Sequence, residues 1–600
     1  MTISLQFTSV RADYISYSGA ENAENIAEIY VLEDRVRLNL EVYVRDLDVF
    51  QPLVPEEMYA DPSEVAPLEE RQALFANKIF RVVDEDGTEL PARFMLAEPR
   101  LRIDRRSPFT GTINPITRRP IPGPPDDKRV LYAEVEYLFE GRRPKTLNIV
   151  PPLDDNGVAQ VSIGFIAYHQ TVPIIDFRFL GKTAKLELDW QDPWYSRFDN
   201  PNLKRHNRSA IASFLYVESF EVRHEMLVRV RDMSEFVDLG IEDLTRIPAA
   251  AAATVKNKIS RFLVEHNTVS IDGKTRPPIV DKVDYVVAAQ RGIQIAEPDE
   301  DVDLNTAIVG IIFAYIVDGL PQQVDVDWDV FPQGVDRIPA IATDPAGPLQ
   351  TFLTRDDNVH SWTNLLKTYQ DPVFAPLDES EVRTKISVPV VTVLLALAGL
   401  AIIVLAVRAR AARALYRACA VVAAVVAFGI AFGAQSFTKV DVAVPALLAP
   451  RPGSEQAEQM MATLLRNTYR AFDFREEEAV YDKLATSVTG ELLTDIYLQN
   501  RRSFEIRQAG GAQARIKDVE IVSVEPVSTR AGADLSVRSV WAARGEVDHW
   551  GHRHSRRNIY EAIVDLGVVD GAWKITGFET LQERRIEPFG PVAQAADVAK

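Results

Sequence analysis

The chain has 600 residues, 46% of them hydrophobic and 26% charged, a balance that excludes a polytopic transporter. A formal charge of −19 provides no basic surface for neutralising phosphates, which argues against nucleic acid as a partner. The length exceeds one core and implies several domains, and 36 prolines favour strands and loops over a helical bundle.

The opening run MTISLQFTSVRADYISYSG has neither the basic n-region nor the apolar h-region of a signal peptide. Beyond it, Tyr30-VLEDRVRLNLEVYVRDLDV-Phe50 and Tyr216-VESFEVRHEMLVRVRDMSE-Phe236 align without a gap at an offset of 186. Asp86-Gly87 and Pro91 recur at the same offset as Asp272-Gly273 and Pro277. Matches sharing one offset predict a tandem duplication, with copies over 1–205 and 206–378. Val36, Leu38, Leu40 and Val42 alternate with Arg37, Asn39 and Glu41, the period of a half-buried strand. In the second copy Val222, His224, Met226 and Val228 take the inward positions, which places His224 in a core.

Short alternating strands with turn signals predict a β-sandwich-like domain per copy. Each copy carries a helical insertion, Glu56–Phe80 in the first and Ile241–His266 in the second. The loop Ser107–Asp127, dense in proline and basic residues, reads as a long surface loop or as an extended docking segment. The acidic stretch Glu297–Asp303 gathers carboxylates suited to Ca²⁺ but lacks the spaced pattern of a calcium loop, and so reads as a solvated turn.

Two uncharged runs follow, Ser387–Val407 and Ala418–Phe437. At about 1.5 Å per residue each is long enough for a hydrocarbon core of about 30 Å, so the pattern predicts a transmembrane helical hairpin over 387–437. Arg408, Arg410, Arg413 and Arg417 in the turn set its orientation, with the turn cytoplasmic and the large domains outside the inner membrane of a bacterial-type cell. Gly429 and Gly433 form a small-residue face that packs against Gly399 of the first span, or alternatively serves homo-oligomerisation. Cys419, the only cysteine, is a small apolar position in the second span.

After an Ala- and Pro-rich linker at 438–453, helical sequence runs from Ser454, with Met460, Leu464, Leu465 and Tyr469 on one face. Four alternating strands follow, Ala514–Val527, Asp534–Val547, Ser555–Leu566 and Trp573–Leu581, the last pair joined at Gly571. Helices followed by a four-stranded meander ending in DGAWKITGFETL make 454–590 resemble the cone-shaped α+β domains of the NTF2-like superfamily. That resemblance implies a fold whose members include enzymes, small-ligand binders and assembly modules, and it transfers no site residues.

His549, His552 and His554 lie close enough in sequence to suggest a metal site, although Arg553, Arg556 and Arg557 beside them oppose a cation. The two Gly-Lys-Thr strings, at Gly181 and Gly273, lack the earlier glycine of a phosphate loop. No catalytic signature is present, and no cofactor follows from the sequence. These features together predict a membrane-anchored, non-catalytic binding or assembly protein with protein partners, acting alone or as one subunit of a larger membrane complex. The alternative is an enzyme or a small-ligand or metal binder working through the NTF2-like domain.

Overall fold

The computed structural model describes residues 18–586 apart from 60, 62–64, 104, 106, 108–109, 115–116, 206–208, 242–244, 290–291, 297–300, 383–384, 409–413, 434–438, 444–451, 509–514 and 550–551. Contacts divide the chain into two compact units, one built on residues up to Tyr369 and one on Gln370–Asp548 with Arg553–Lys600.

The first copy contributes β1 (Asn25–Val31), β2 (Arg35–Tyr43), helix α1 (Leu68–Leu74), β3 (Arg81–Val83), β4 (Ala92–Leu101), β5 (Arg129–Leu138), β6 (Thr146–Val150), β7 (Ile163–His169), β8 (Val172–Pro173), β9 (Arg178–Phe179), β10 (Ala184–Glu187) and β11 (Arg197–Phe198). They form a large sheet in the order β4-β5-β2-β1-β7-β8, with β9 on β7, and a small sheet β11-β10-β6-β3. One core is filled from both: Leu38, Val135 and Phe165 from the large sheet meet Leu147, Ile149 and Leu186 from the small one.

The second copy supplies β12 (Ile211–Val217), β13 (Glu221–Arg229), α2 (Val230–Met233), β14 (Arg246–Ile247), α3 (Ala249–His266), β15 (Asn267–Ile271), β16 (Lys274–Arg276), β17 (Ile279–Ala289), β18 (Gly292–Ile295), β19 (Val302–Asp303), β20 (Ile308–Ile316), β21 (Gln323–Trp328), β22 (Ile338–Asp344), β23 (Gly347–Leu353) and β24 (Val359–Thr363). Its large sheet repeats the arrangement of the first, β18-β17-β20-β13-β12-β22-β23, and its small sheet runs β16-β15-β21-β24. In both copies the opening hairpin is antiparallel, while its first strand pairs in parallel with a late one, β1 with β7 and β12 with β22. Helix α3 buries Ala252, Val255, Ile259 and Leu263, a spacing of three and four residues that keeps one stripe on the sheets.

The copies differ on the outer face of the large sheet. At matching registers Glu28, Glu41 and Glu134 of the first copy become Phe214, Leu227 and Ile312 of the second. In the first copy Arg105, from the segment joining β4 to β5, covers this face and pairs with Glu28 at 2.8 Å and Glu41 at 2.9 Å. In the second copy the cover is the first copy itself: Val172 and Trp194 pack on Ala212, Leu227, Val286, Ile308 and Ile312.

Beside this apolar joint Arg229 has no solvent exposure and makes two 2.7 Å hydrogen bonds to the Asp192 carboxylate. The Trp194 ring lies under two guanidinium groups, Arg205 at 4.0 Å and Arg229 at 4.9 Å. Burial opposes ionisation of Asp192, but the Arg229 hydrogen bonds and charge override it and hold the carboxyl below its usual range.

The second unit comprises β25 (Leu377–Asp378), α4 (Glu379–Val382), β26 (Lys385–Pro389), α5 (Val390–Arg408), α6 (Ala414–Gly433), β27 (Lys439–Ala443), α7 (Ser454–Arg470), α8 (Glu477–Ala485), α9 (Gly490–Gln508), β28 (Arg515–Pro526), β29 (Leu535–His549), β30 (His552–Val569) and β31 (Ala572–Ile586). Its main sheet runs β25-β31-β30-β29-β28. Asp570 and Gly571 both have positive φ, 54° and 80°, the two-residue turn whose twist matches the flanking strands β30 and β31. Helix α7 places Met460, Leu464 and Leu465 against Trp541, Val564 and Ile575 of the sheet, and Gly453 occupies its N-cap.

The transmembrane hairpin expected over 387–437 requires correction. Ser387, Val388 and Pro389 belong to strand β26, which pairs with β27, so helix α5 starts only at Val390 and its nineteenth residue is already Arg408. Helix α6 carries Arg417 in its first turn and ends at Gly433, short of the predicted Phe437, which lies outside the described residues. Among the described residues no helix is long and apolar enough to cross a membrane. The fold is therefore a β-rich, multi-sheet one with helices, and the membrane-spanning part of the expected fold class is withdrawn.

Replacing Trp194 by Ala removes the plug of the joint and leaves a cavity over Leu227 and Ile312. A loss of about 3–5 kcal/mol in unfolding free energy is expected, read by urea denaturation of the full chain. Asp192→Ala, which leaves the buried Arg229 with only Asp232 at 3.4 Å and the Asn305 carbonyl at 3.2 Å, should cost about the same.

Candidate functional site

Six of the eight histidines fall into two groups. His549 ends β29, and His552 and His554 open β30, but their side chains lie outside the described residues. Among the described residues no group of three His, Cys, Asp or Glu side chains could hold a metal ion. Of the acidic stretch, 297–300 is outside the described residues, and the rest is engaged. Asp301 accepts from the Ala249 amide at the start of α3, and Asp303 accepts from the Asn305 amide and the Thr171 hydroxyl.

The second group is buried. His224 Nε2 lies 2.9 Å from Ser213 Oγ, which lies 3.0 Å from His360 Nδ1, a polar bridge from β12 and β13 of the large sheet to β24 of the small one. Burial, and then the neighbouring His360, push the His224 imidazole down to about 3; burial pushes His360 down to about 4. In the first copy His169 Nδ1 lies 2.7 Å from Ser196 Oγ, and burial lowers it to about 4. A serine held by a histidine has the form of a nucleophile with its base, but both these sites are closed: Ser213, His224 and His360 have no exposure, so no substrate atom reaches the hydroxyl. These imidazoles act as neutral hydrogen-bonding pieces of the two cores.

Helices α5 and α6 carry many exposed apolar side chains. Gly399 lets the helices approach, since a Cβ there would stand 3.0 Å from the Phe428 ring. Ala424 is buried, whereas Leu397, Leu400, Leu405, Val422, Val425 and Phe432 are exposed. A Cβ on Gly429 or Gly433 would meet nothing within 4 Å, so these two glycines leave an open shallow strip rather than packing on α5. Arg408 ends α5 in an exposed position, Arg410 and Arg413 lie outside the described residues, and for Arg417 only its place in α6 is described. Cys419 is exposed on α6.

The Pro-rich loop is not free to wrap a partner along its whole length. Asn22 Nδ2 donates to Thr110 Oγ1 and to the Pro122 carbonyl, both at 2.9 Å, and Ile121 is buried against Gly19, where a Cβ would stand only 2.5 Å from the isoleucine. The loop end and this turn enclose a cleft of about 420 Å³. Neither this cleft nor the joint around Arg229 was anticipated from the sequence. The joint left a signal, the change from Glu41 to Leu227 at one repeat position; the cleft left none. No protein-family model matches the chain, and no curated protein is similar to it in sequence.

The buried histidines set an acid limit. Their folded values lie below the ordinary 6.5, so the unfolded chain binds their protons first, and stability falls as pH drops from about 6.5 towards 4. Asp232 acts in the opposite sense, because burial pushes its carboxyl up to about 6 and the folded chain protonates first. Three histidines against one aspartate leave an uptake of about two protons on unfolding near pH 5, measurable from the slope of unfolding free energy against pH.

Proposed function

We propose that the chain is a non-catalytic binding or assembly protein, a subunit that docks to a partner protein through helices α5 and α6. The observation that supports this reading is the exposed apolar surface of those helices. Leu397, Leu400, Leu405, Val422, Val425 and Phe432 all face away from the chain's own cores. Water-exposed monomers rarely leave contiguous apolar patches beyond a few hundred Å² uncovered. Covering six such side chains would release on the order of 10 kcal/mol of gross transfer free energy, comparable with the cost of bringing two proteins together.

The open strip at Gly429 and Gly433 suits close approach of a partner helix, since small residues let backbones come together. The resemblance of 454–590 to NTF2-like domains is compatible with this role, because assembly modules are among the members of that superfamily. In that region Met460, Leu464 and Trp541 pack together in one hydrophobic core.

The test is the mass of the extracted full-length protein, by native mass spectrometry, with and without Val425→Lys and Leu405→Lys. Wild type is expected in an assembly heavier than its own 67.1 kDa. Either charge is expected to weaken that assembly at least about tenfold by burying an unpaired ammonium. A wild-type chain that remains monomeric, or that embeds these helices in lipid vesicles without any protein partner, overturns the proposal.

A further inference from the structure

We infer that β23 is a self-association edge, at which a second chain of this protein pairs its own β23 antiparallel about a two-fold axis through Thr351. Strand β23 ends the second copy's large sheet, and among the described residues no strand continues the sheet beyond it. Its sequence, Gly347-PLQTF-Leu353, carries no charge, and its pairing with β22 has no bulge. An uncharged, regular edge is a template for another strand, and proteins normally blunt one with charge, proline, a bulge or shortness.

The first copy shows that blunting. Its β4 edge carries Arg93, Glu98, Pro99 and Arg100, with a bulge between Phe94 and Leu96. At the opposite edge β8 stops after two residues at Pro173, whose carbonyl accepts from Arg205 at 2.6 Å, while Val172 packs into the joint. In the second copy β23 takes the corresponding place, after the late parallel strand, yet it runs for seven residues. Leu349 and Phe352 on it are each at least half exposed.

The register defines what fits. Strands β22 and β23 pair from Asp344 opposite Gly347 to Ile338 opposite Leu353, around the two-residue turn Pro345-Ala346. The closing pair of such a hairpin is hydrogen-bonded, and bonded and non-bonded pairs alternate from there. Pro339 and Pro348 thus fall in non-bonded pairs, where a missing N–H breaks no bond of this ladder. The same alternation turns the amides and carbonyls of Gln350 and Phe352 to the free edge. The open stretch is bounded by Pro348 and by Thr354, whose amide donates to the Asp357 carbonyl at 2.9 Å.

A two-fold axis at Thr351 sets Gln350 of each chain opposite Phe352 of the other, so four N–H···O=C bonds use all four open amides. The closed symmetry needs no further surface. A ladder this short gains most from an occupant that also covers side chains. A second chain does so twice: each Leu349 comes opposite a Leu353, and each Gln350 comes beside a Phe352 ring that lies 4.1 Å from the Arg337 guanidinium. No charge on either β23 has to be stripped of water. The apolar joint between the repeats is continuous with this edge, since Phe214, packed at the joint, is in register with Ile341, and Ile341 with Gln350.

The edge lies in the other compact unit from α5 and α6, so its test is independent of the assembly reading. In full-length protein carrying Cys419→Ala, Thr351→Cys places two thiols in a non-bonded antiparallel pair with Cα atoms about 4.5 Å apart, a span that a disulfide bridges. Mild oxidation is expected to convert most of this variant to a covalent dimer on a non-reducing gel. Asp155→Cys, in an exposed turn of the first copy, should stay monomeric. Adding Gln350→Lys, an exposed position that leaves folding intact, sets like charges on adjoining strands and should lower the dimer yield about fivefold. Gln350→Pro, which removes an outward amide but no bond within the hairpin, should abolish the dimer. No cross-link in Thr351→Cys, an equal yield from Asp155→Cys, or a yield unchanged by both Gln350 variants overturns the inference.

Discussion

The pair Arg229 and Asp192 is the constraint on which the architecture of the first unit depends. Arg229 ends β13 of the second copy with no exposure, and Asp192 lies in the first copy between β10 and β11. A guanidinium taken out of water costs several kcal/mol unless its partner is in place with good geometry. The two 2.7 Å bonds meet that condition only when the copies are docked. The ion pair therefore acts more as a register device than as a source of stability, while Trp194 on Leu227 and Ile312 supplies the apolar burial. A duplicated domain that could otherwise sit as two beads on a linker is thereby held as one body.

The same face explains why the joint stops at two copies. In the first copy the equivalent positions are Glu28, Glu41 and Glu134, satisfied in part by Arg105. A further copy offering a Trp194-like plug would have to strip those carboxylates of water and displace an arginine. Charge on one copy and apolar surface on the other thus turn an arrangement that could propagate head-to-tail into a closed pair.

Much of this was legible in the sequence. The offset of 186 marks strands whose observed bounds, Asn25–Val31 and Ile211–Val217, differ by that number, because period-2 alternation and turn chemistry act locally. His224 was legible as a core residue from strand parity alone, although its partners Ser213 and His360 were not, since they come from two other strands. The apolar runs misled in length: hydropathy reports what a segment would bury, whereas the β26–β27 pairing, which joins residues as far apart as Lys385 and Ala443, decides where helix α5 begins. The cleft was invisible because its wall combines residues from positions 19 to 179, and nothing in a local window marks Glu24 and Asp126 as neighbours.

The most direct test of the central claim is native-state hydrogen exchange of the full-length protein, comparing amides of β1 and β2 with those of β12 and β13. If the Arg229–Asp192 joint makes the two copies one cooperative unit, the most protected amides of both hairpins open with the same free energy and the same denaturant dependence. Two distinct opening free energies, with one hairpin exchanging while the other remains protected, would contradict the account and make the joint an incidental contact between independent domains.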